Sequence, residues 1–465
     1  MRQRRRSRDS SLGCGMSEQT TKQPPHEYQR YLQNLPADWE RKVVRRLGTV
    51  VGGGTPSRDV PSFWRGTIPW ATPGEVSGNA NKFLHDTREH ISASGLAGSG
   101  ANLLPAGSLM VTTRATLGAR AINAVPMATN QGFKSIVFNR AADAGFYRHL
   151  FEKVQTELAR RASGTTFLEI SGAEFASIEV PSPCPDEKHL IAEVLDTLET
   201  AIHETETIIA KLKAIKQGLQ HDLLTRGIDA NGELRPHQAD APHLYQKSQL
   251  GWIPTEWDTC ELGSLVDPAR PVVYGILMPG YGYPGGVPVV KVKDIIDDDI
   301  QLDDLLLTSP QIDSEYGRSR LRPGDLLFTI RGTVGRMALV PEELKNANIT
   351  QDTARLAIKF IDARFAKACL SMHAAARFVA VNTLGVAVQG INLRDVRRIP
   401  LPRPGPDEAR EIADRIDGAT ARVGCESRAL NKLTLAKFGL MDDLLTGRVR
   451  VTALLAEAAR QEACA

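Results

Sequence analysis

Six cysteines in 465 residues are few, and no two of them are spaced as a metal-binding pair. Cys14, Cys184, Cys260, Cys369, Cys425 and Cys464 are scattered along the chain. Without a Cys-x-x-Cys a zinc ribbon is excluded, and the spacing does not suit a disulfide framework. A reducing, cytoplasmic setting is the expectation. Long apolar runs are missing as well. Residues 95–113 carry no charge, but Gly95, Gly98, Gly100, Pro105 and Gly107 interrupt them, so they read as loop then strand and not as a membrane span. Charge of one sign is also lacking: 57 Lys+Arg against 54 Asp+Glu leave a formal net charge of +3. A uniformly basic, histone-like surface is therefore excluded. A local basic face on one domain is not, because net charge averages it away.

What is present is enough apolar material for sizeable cores, 42% of the residues. The length suits two to four domains of ~100–200 residues, and the composition argues against disorder of the whole chain. Met1-Arg2-Gln3-Arg4-Arg5-Arg6 is basic, but no apolar segment follows it, so it does not read as a secretory signal. Residues 1–30 are expected to form a disordered basic tail. Both Met1 and Met16 precede the recognisable domain, so the sequence does not choose between them as the start.

The main organisational feature is an internal duplication with a period of roughly 220 residues. Leu35-Pro36-Ala37-Asp38-Trp39 recurs as Ile253-Pro254-Thr255-Glu256-Trp257, and Ile68-Pro69-Trp70 as Val287-Pro288-Val289. Pro105-Ala106-Gly107 recurs as Pro323-Gly324-Asp325. Each leads to one phrase: Thr113-Arg114-Ala115-Thr116-Leu117-Gly118, then Ile330-Arg331-Gly332-Thr333-Val334-Gly335. Thr129-Asn130-Gln131-Gly132 matches Ile349-Thr350-Gln351-Asp352, and each half closes on a Pro-x-Pro at Pro181/Pro183 and Pro400/Pro402. The period is too long for a solenoid, so the chain reads as two copies of a whole domain. The matching pieces look like scaffold, and the divergent pieces are candidates for something specific to each copy.

A long helix is expected after each Pro-x-Pro, opening at Pro185-Asp186-Glu187 and Pro406-Asp407-Glu408. Proline at the first helical position lacks an N–H that would be orphaned anyway, and the acids complement the helix dipole. Ile191, Leu195, Leu198, Ile202, Ile209, Leu212, Leu219 and Leu223 form a 4-3 heptad stripe. Ile412, Ile416, Ala419, Val423, Leu430, Leu433, Leu440 and Leu444 repeat it. The polar breaks Thr205 and Lys216 recur in register as Glu426 and Lys437. A helix of about 40 residues spans ~60 Å, and such seams cannot stay in water. The matched heptads predict that the helices pair with each other. Gly227 and Gly447 are the expected caps.

Together these features resemble the specificity subunits of type I restriction–modification systems. The resemblance runs from about Leu35 to Arg448. It rests on the doubled Pro-x-x-Trp, Gly53-Gly54-Thr55-Pro56-Ser57, the Arg-x-Thr-x-Gly phrases, Asn130-Gln131-Gly132-Phe133, Gln389-Gly390-Ile391-Asn392 and the linker from Leu224-Thr225-Arg226-Gly227 to Trp252-Ile253-Pro254. The second copy departs from the first near residues 267–275, where no Gly-Gly-Thr-Pro-Ser occurs. The resemblance implies an α+β fold. Two similar target-recognition domains (31–184 and 251–404) are each followed by a long helix (185–228 and 405–448), with a linker at 229–250 and a tail at 449–465. The helices pair as an antiparallel coiled coil. Each domain is expected to read one half of a split, asymmetric site in double-stranded DNA. The helices are expected to set the spacer and to dock methyltransferase subunits, which a motor-nuclease subunit joins. S-adenosylmethionine, ATP and Mg²⁺ belong to those partners, and this chain is expected to bind no cofactor or metal and to catalyse nothing. The competing reading is a coiled-coil adaptor whose duplicated domains bind protein.

The residues themselves argue against a catalyst. Gly280-Tyr281-Gly282-Tyr283-Pro284-Gly285 fits GxGxxG formally, but Pro284 sits inside it and a strand, expected over 287–292, follows where a helix is needed. Gly332-Thr333-Val334-Gly335 lacks the Gly-Lys-Ser/Thr of a phosphate loop. Asp325, with Glu343 and Lys345, imitates a nuclease site, yet its counterpart is Ser108. No Asn/Asp-Pro-Pro-Tyr-like loop is present to hold a flipped base. Candidate DNA contacts follow from donor chemistry. Arg114, Thr116, Arg331 and Thr333 lie in Gly-containing turns and either meet phosphates or tie the turn to its own domain. Gln131 and Gln351 carry the same ambiguity, and Lys134 belongs to the same set. Lys291 and Lys293 are expected to alternate on one strand, and Arg318, Arg320 and Arg322 to form a basic ribbon. Base readers are expected in the divergent loops.

Overall fold

In the strand Leu109–Thr112, Leu109 and Val111 point into one apolar core and Met110 into another. The strand Leu326–Thr329 does the same, with Leu326 and Phe328 on one face and Leu327 on the other. Side chains alternate across a strand, so a strand buried on both faces must be apolar at every position. These two strands are the centres of two similar units. The computed structural model describes residues 26–79, 81–114, 116–163, 169–385 and 388–451. One unit is built from residues up to 204 together with those from 430 onward, the other from 205–429.

The first unit holds a five-stranded sheet in the order Gly48–Gly52, Phe133–Phe138, Leu109–Thr112, Arg120–Asn123, Phe83–Leu84. Its inner face packs on the helix Ala144–Arg161 through Phe146, Tyr147, Leu150, Phe151, Val154 and Leu158. A four-stranded sheet orders His90–Ile91, Trp64–Ala71, Met127–Thr129 and Leu103–Leu104. The expected tail 1–30 ends sooner than its charge suggests. Glu27–Gln33 is helical, because Tyr28 and Leu32 bury against the same core. The rest of that tail, residues 1–25, lies outside the described residues, as do 452–465 of the C-terminal tail; Val451, just before these, is buried.

The second unit repeats the plan with one strand fewer in each of the two main sheets. Val273–Tyr274, Thr353–Leu356, Leu326–Thr329 and Met337–Leu339 form one sheet, and Leu306–Thr308, Val287–Val290 and Asn348–Ile349 another. The parallel pairing of Trp70 with Ala128 and Ala71 with Thr129 is matched by Val289 with Asn348 and Val290 with Ile349. In each unit a two-stranded ladder ties the strand after the Pro-x-x-Trp to the Pro-x-Pro: Glu40–Val43 with Glu179–Ser182, and Asp258–Glu261 with Pro400–Arg403.

The two long helices are Pro185–Arg226 and Pro406–Thr446. In the first unit Ile191, Ala192 and Leu195 share a core with Met441, Leu444 and Leu445. In the second, Leu223 and Leu224 share one with Ala409, Ile412, Ala413 and Ile416. The start of each helix therefore packs by the end of the other, which makes the pair antiparallel. The expected seam is the covered face. Leu195, Ile209 and Ile416 are buried, and Leu198, Ile202, Leu212, Leu219, Val423, Leu430, Leu433 and Leu440 are partly buried. Off the seam, Ile215, Leu435 and Phe438 are exposed. Gly227 and Gly447 end the helices at φ +66° and +69°, the left-handed cap that a side chain would strain.

Candidate nucleic-acid interface

The Arg-x-Thr-x-Gly phrase is a turn whose geometry is built by the threonine before it and the glycine after it. Thr112 donates its hydroxyl to the Thr116 carbonyl, and the Gly118 amide returns to the Thr112 carbonyl at 2.9 Å. In the second copy Thr329 donates to the Thr333 carbonyl, and the Gly335 amide returns to Thr329 at 3.0 Å. Gly118 and Gly335 sit at φ +86° and +92°, where a Cβ would crowd the following carbonyl. The turn leaves its arginine at the strand end.

A second segment closes on that arginine from far along the chain. Arg114 bridges to Glu169, which also pairs with Ser163. Arg331 bridges to Gly390, which also pairs with Leu384. The amides of Ile170 and Ile391 donate to the carbonyls of Thr113 and Ile330 at 3.2 and 2.9 Å. Ser163 with Glu169, and Leu384 with Gly390, are therefore placed beside the two arginines. Residues 164–168 and 386–387 between them lie outside the described residues. The glutamines are brought in by the amides of Thr113 and Ile330, which donate to the carbonyls of Gly132 and Asp352 at 2.7 and 2.8 Å.

In the first unit Arg114, Thr116, Gln131 and Lys134 thus share one edge, with the Lys134 ammonium 3.6 Å from Glu169. Gln131 accepts a hydrogen bond from the Thr55 hydroxyl. In the second unit Arg331 and Gln351 line a concavity of about 460 Å³ with Tyr274, Leu277, Val388 and Asn392. Arg331 is exposed, 4.0 Å from Asp352. Gln351 has no Thr55 to pair with, and its buried Oε1 lacks a partner among the described residues. One role of the missing Gly-Gly-Thr-Pro-Ser is nonetheless kept. A Cβ on Gly53 would fall 1.9 Å from the Asn130 carbonyl oxygen, and one on Gly275 would fall 1.9 Å from that of Ile349. Both copies need a glycine there for one backbone to lie on another.

Two expected arrangements are not formed. The strand carrying Lys291 stops at Val290, because the Asp294 carboxylate accepts the Lys291 amide at 2.8 Å and winds residues 292–294 into a single 3₁₀ turn. Lys293 lies on that turn, exposed and 3.9 Å from Asp294, so the two lysines do not alternate on a strand. Arg318, Arg320 and Arg322 do not form a ribbon either. Gly317–Ser319 is a 3₁₀ turn, Arg320 is held by Asp313 at 2.8 Å, and the Arg322 amide donates to Asp325. Asp325 itself takes both guanidinium nitrogens of Arg270 at 2.7 Å and is nearly inaccessible. It anchors a turn and has no geometry for a nuclease metal.

Three contacts were not legible as a set. Trp39 donates its indole N–H to Glu187 at 2.9 Å, and Arg450 pairs with both Glu187 (2.7 Å) and Asp38 (2.9 and 2.8 Å). Trp257 donates to Glu408 at 2.9 Å, and Arg235 pairs with Glu408 (2.6 Å) and Glu256. In both units the Pro-x-x-Trp, the acid of the helix start and an arginine beyond a helix end close one clasp. The signal was the doubled Pro-Asp-Glu, whose glutamate does this work.

His149, Asp196 and Glu199 also converge in the first unit. Cations already satisfy them: Lys82 and Arg148 reach Asp196 at 2.6 and 3.0 Å, Lys437 reaches Glu199 at 2.7 Å, and Arg148 also bonds Glu199. Burial alone would raise the Asp196 pKa, but hydrogen bonds from His149 and Lys82 outweigh it and hold the carboxyl well below its ordinary range. Burial, with Arg148 beside it, lowers the His149 pKa against the opposing hydrogen bond to Asp196. The cluster is an internal ion-pair network.

Two copies of one α+β domain, each packed on the ends of two long antiparallel helices, define a class of internally duplicated protein. The fold resembles the crystal structure of a type I restriction–modification S subunit from M. genitalium, with a TM-score of 0.54 at 12% identity over 88% of this chain and 96% of that one. The family model for the type I restriction modification DNA specificity domain matches residues 36–214. The chain is 26% identical to the EcoBI specificity subunit of Escherichia coli over 311 residues, 66% of this chain and 65% of that protein. It is 32% identical to the MjaIX specificity subunit of Methanocaldococcus jannaschii over 170 residues, 36% of this chain and 39% of that one. The match thus spans just under two thirds of the first relative and about two fifths of the second. The MjaVIII specificity subunit of the same archaeon aligns over 90% of this chain and 94% of its own length at 21% identity. Residues 36–214 thus match the type I restriction modification DNA specificity domain, and the chain is similar to type I specificity subunits over most of its length. Among the described residues, no helix is long and apolar enough to cross a membrane.

Proposed function

We propose that this chain is the non-catalytic subunit that selects the DNA sequence in a type I restriction–modification complex. The observation that carries the reading is the pair of turns around Arg114 and Arg331 with the same hydrogen bonds, each bridged to a distant segment whose sequence differs between the copies. Arginine and glutamine beside such segments can hold a phosphate and fix the register, while the segments meet base edges. Domains at 31–184 and 251–404 each read one half of a bipartite asymmetric site. The paired helices set the spacer and offer the docking surface for methyltransferase subunits, which in turn recruit the motor-nuclease subunit. S-adenosylmethionine, ATP and Mg²⁺ are handled by those partners.

The test is an exchange. Residues 37–180 are replaced by the same region of a related subunit, and the methylated motif is read in cells carrying the methyltransferase partner. One half of the motif should change and the other stay. A chain that supports no sequence-specific methylation in either form, while its domains capture a protein partner, would refute the reading in favour of an adaptor.

A further inference from the structure

The strand Trp64–Ala71 begins with a bulge: both Trp64 and Ile68 pair with Ile91. Within it Arg65 has φ +60°, the left-handed region, which an L-residue with a Cβ adopts at a cost. The second copy shows what the backbone requires here. A Cβ on Gly66 would fall 2.2 Å from the Ile91 carbonyl oxygen, and one on Gly286 would fall 2.1 Å from that of Thr308, the residue at which the matching ladder begins. The residue before Gly286 is Gly285, at φ +71°. Both copies therefore place a left-handed residue ahead of a glycine that lies on the partner strand, the extra residue of the first copy's bulge shifting this match by one from the register of Ile68 with Val287. One copy fills the position with glycine, which fits without strain, and the other with arginine.

The side chain of Arg65 does not explain itself structurally. It is exposed, and among the described residues no hydrogen bond or ion pair holds its guanidinium. Its neighbour Arg58 is the opposite case, bound by Glu89 at 2.5 and 2.8 Å and stacked 3.7 Å over the Trp64 ring. The bulge adjoins the interface already described. Thr55 donates to Gln131, and two residues on, the Ser57 carbonyl accepts the Trp64 indole N–H at 3.0 Å. Bulges re-aim side chains, and strain kept where glycine would relieve it points to use of the side chain.

We infer that Arg65 is a specificity-determining residue of the first copy, donating its guanidinium fork to the O6 and N7 of a guanine in the major groove. This rests on the DNA-reading function proposed above. The second copy, with Gly285 at the same place, has no such contact and reads its half-site by other residues.

The experiment uses the full chain in complex with its methyltransferase partner, selecting from a randomised duplex pool and measuring salt dependence. Arg65→Gly and Arg65→Ala should lose the preference for guanine at one position in the first copy's half-site by roughly 5- to 150-fold. The other half and the salt slope should be unchanged, and Arg65→Lys should retain part of the preference. Arg65→Gly should melt no lower than the parent. Uniform weakening across all sequences with a salt slope shallower by about 1 would make Arg65 a phosphate contact and overturn the inference. So would an unchanged motif, or a lowered melting temperature for Arg65→Gly, which would mean the side chain is structural. A parent complex that selects no sequence at all would instead bring down the DNA-reading function on which the inference stands.

Discussion

Glu408→Ala tests whether the clasp holds the second unit together. The Glu408 carboxylate accepts hydrogen bonds from three groups: the Trp257 indole at 2.9 Å, Arg235 at 2.6 and 3.5 Å and the Ile228 amide at 2.9 Å. Trp257 is fully buried, and the Arg235 side chain is 8% exposed. Removing the acid leaves an indole N–H and an amide without acceptors. It also leaves a buried guanidinium whose one remaining carboxylate among the described residues, Glu256, is 72% exposed. Breaking a buried pair from one side costs ~3–5 kcal/mol, because the remaining charge stays uncompensated. For a unit of this size that is a fall in melting temperature of about 6–20 °C. Glu408→Gln keeps an acceptor for the indole but not the charge and should fall between. The control is Glu411→Ala on the same helix, whose exposed pair with Arg415 at 2.8 Å should contribute no more than ~0.5 kcal/mol. Calorimetry of the full chain gives the melting shift, and amide exchange across 205–429 assigns it to the second unit. A Glu408→Ala chain melting within 2 °C of the parent, by about the same shift as Glu411→Ala, would refute the reasoning.

Two further outcomes follow from the geometry. Arg331→Ala should weaken binding to all DNA sequences alike and make the salt slope shallower by about 1, as expected of a phosphate contact at a turn both copies share; a motif relaxed at one base pair with an unchanged slope would assign it to base readout. The first unit should lose stability as pH falls from 7.5 to 5. Burial holds the His149 pKa below its unfolded value near ~6.5, so the unfolded chain binds the proton first, by up to ~1.4 kcal/mol per pH unit. Asp196, held low, keeps contributing in this window and loses its share only in stronger acid. Urea midpoints measured for the parent and His149→Gln should converge at pH 5, and parallel curves would show that His149 does not carry the dependence.

The parts of this fold that could be read ahead of the structure are those written in contiguous residues. Heptads need only a side-chain period, and the seam from Leu195 to Leu219 and from Ile416 to Leu440 is the covered face. The Arg-x-Thr-x-Gly turn closes on itself within seven residues, Thr112 to Gly118, so its elements recur as a phrase. The segments beside the arginines were hidden because their bridges join residues far apart, Arg114 with Glu169 and Arg331 with Gly390. Alternating basic residues misled for a physical reason as well. Lys291 and Lys293 have strand spacing, but the carboxylate of Asp294 offers the Lys291 amide a better partner than a ladder would. Spacing two residues apart in Arg318, Arg320 and Arg322 is likewise cut by a turn tied down through Asp313.

The duplication also separates two kinds of likeness. Thr112 and Thr329, Gly118 and Gly335, Glu187 and Glu408 match in residue type because each fills a hydrogen-bonding or steric demand that no other side chain meets as well. Gly53 and Gly275 meet one demand within unlike phrases, so the backbone contact is kept although the motif is lost. Thr55 shows the reverse. Its loss from the second copy leaves the scaffold standing and removes only the partner of a glutamine, turning Gln351 toward a concavity shared with Arg331. Gly285 and Arg65 go further, since there the left-handed φ is kept across a bulge that only the first copy has, and the side chain differs. Where a duplicated scaffold keeps φ but changes the residue, the energetic preference of the backbone has been overruled. Such positions, more than the conserved phrases, are where two readers built on one frame can come to prefer different sequences.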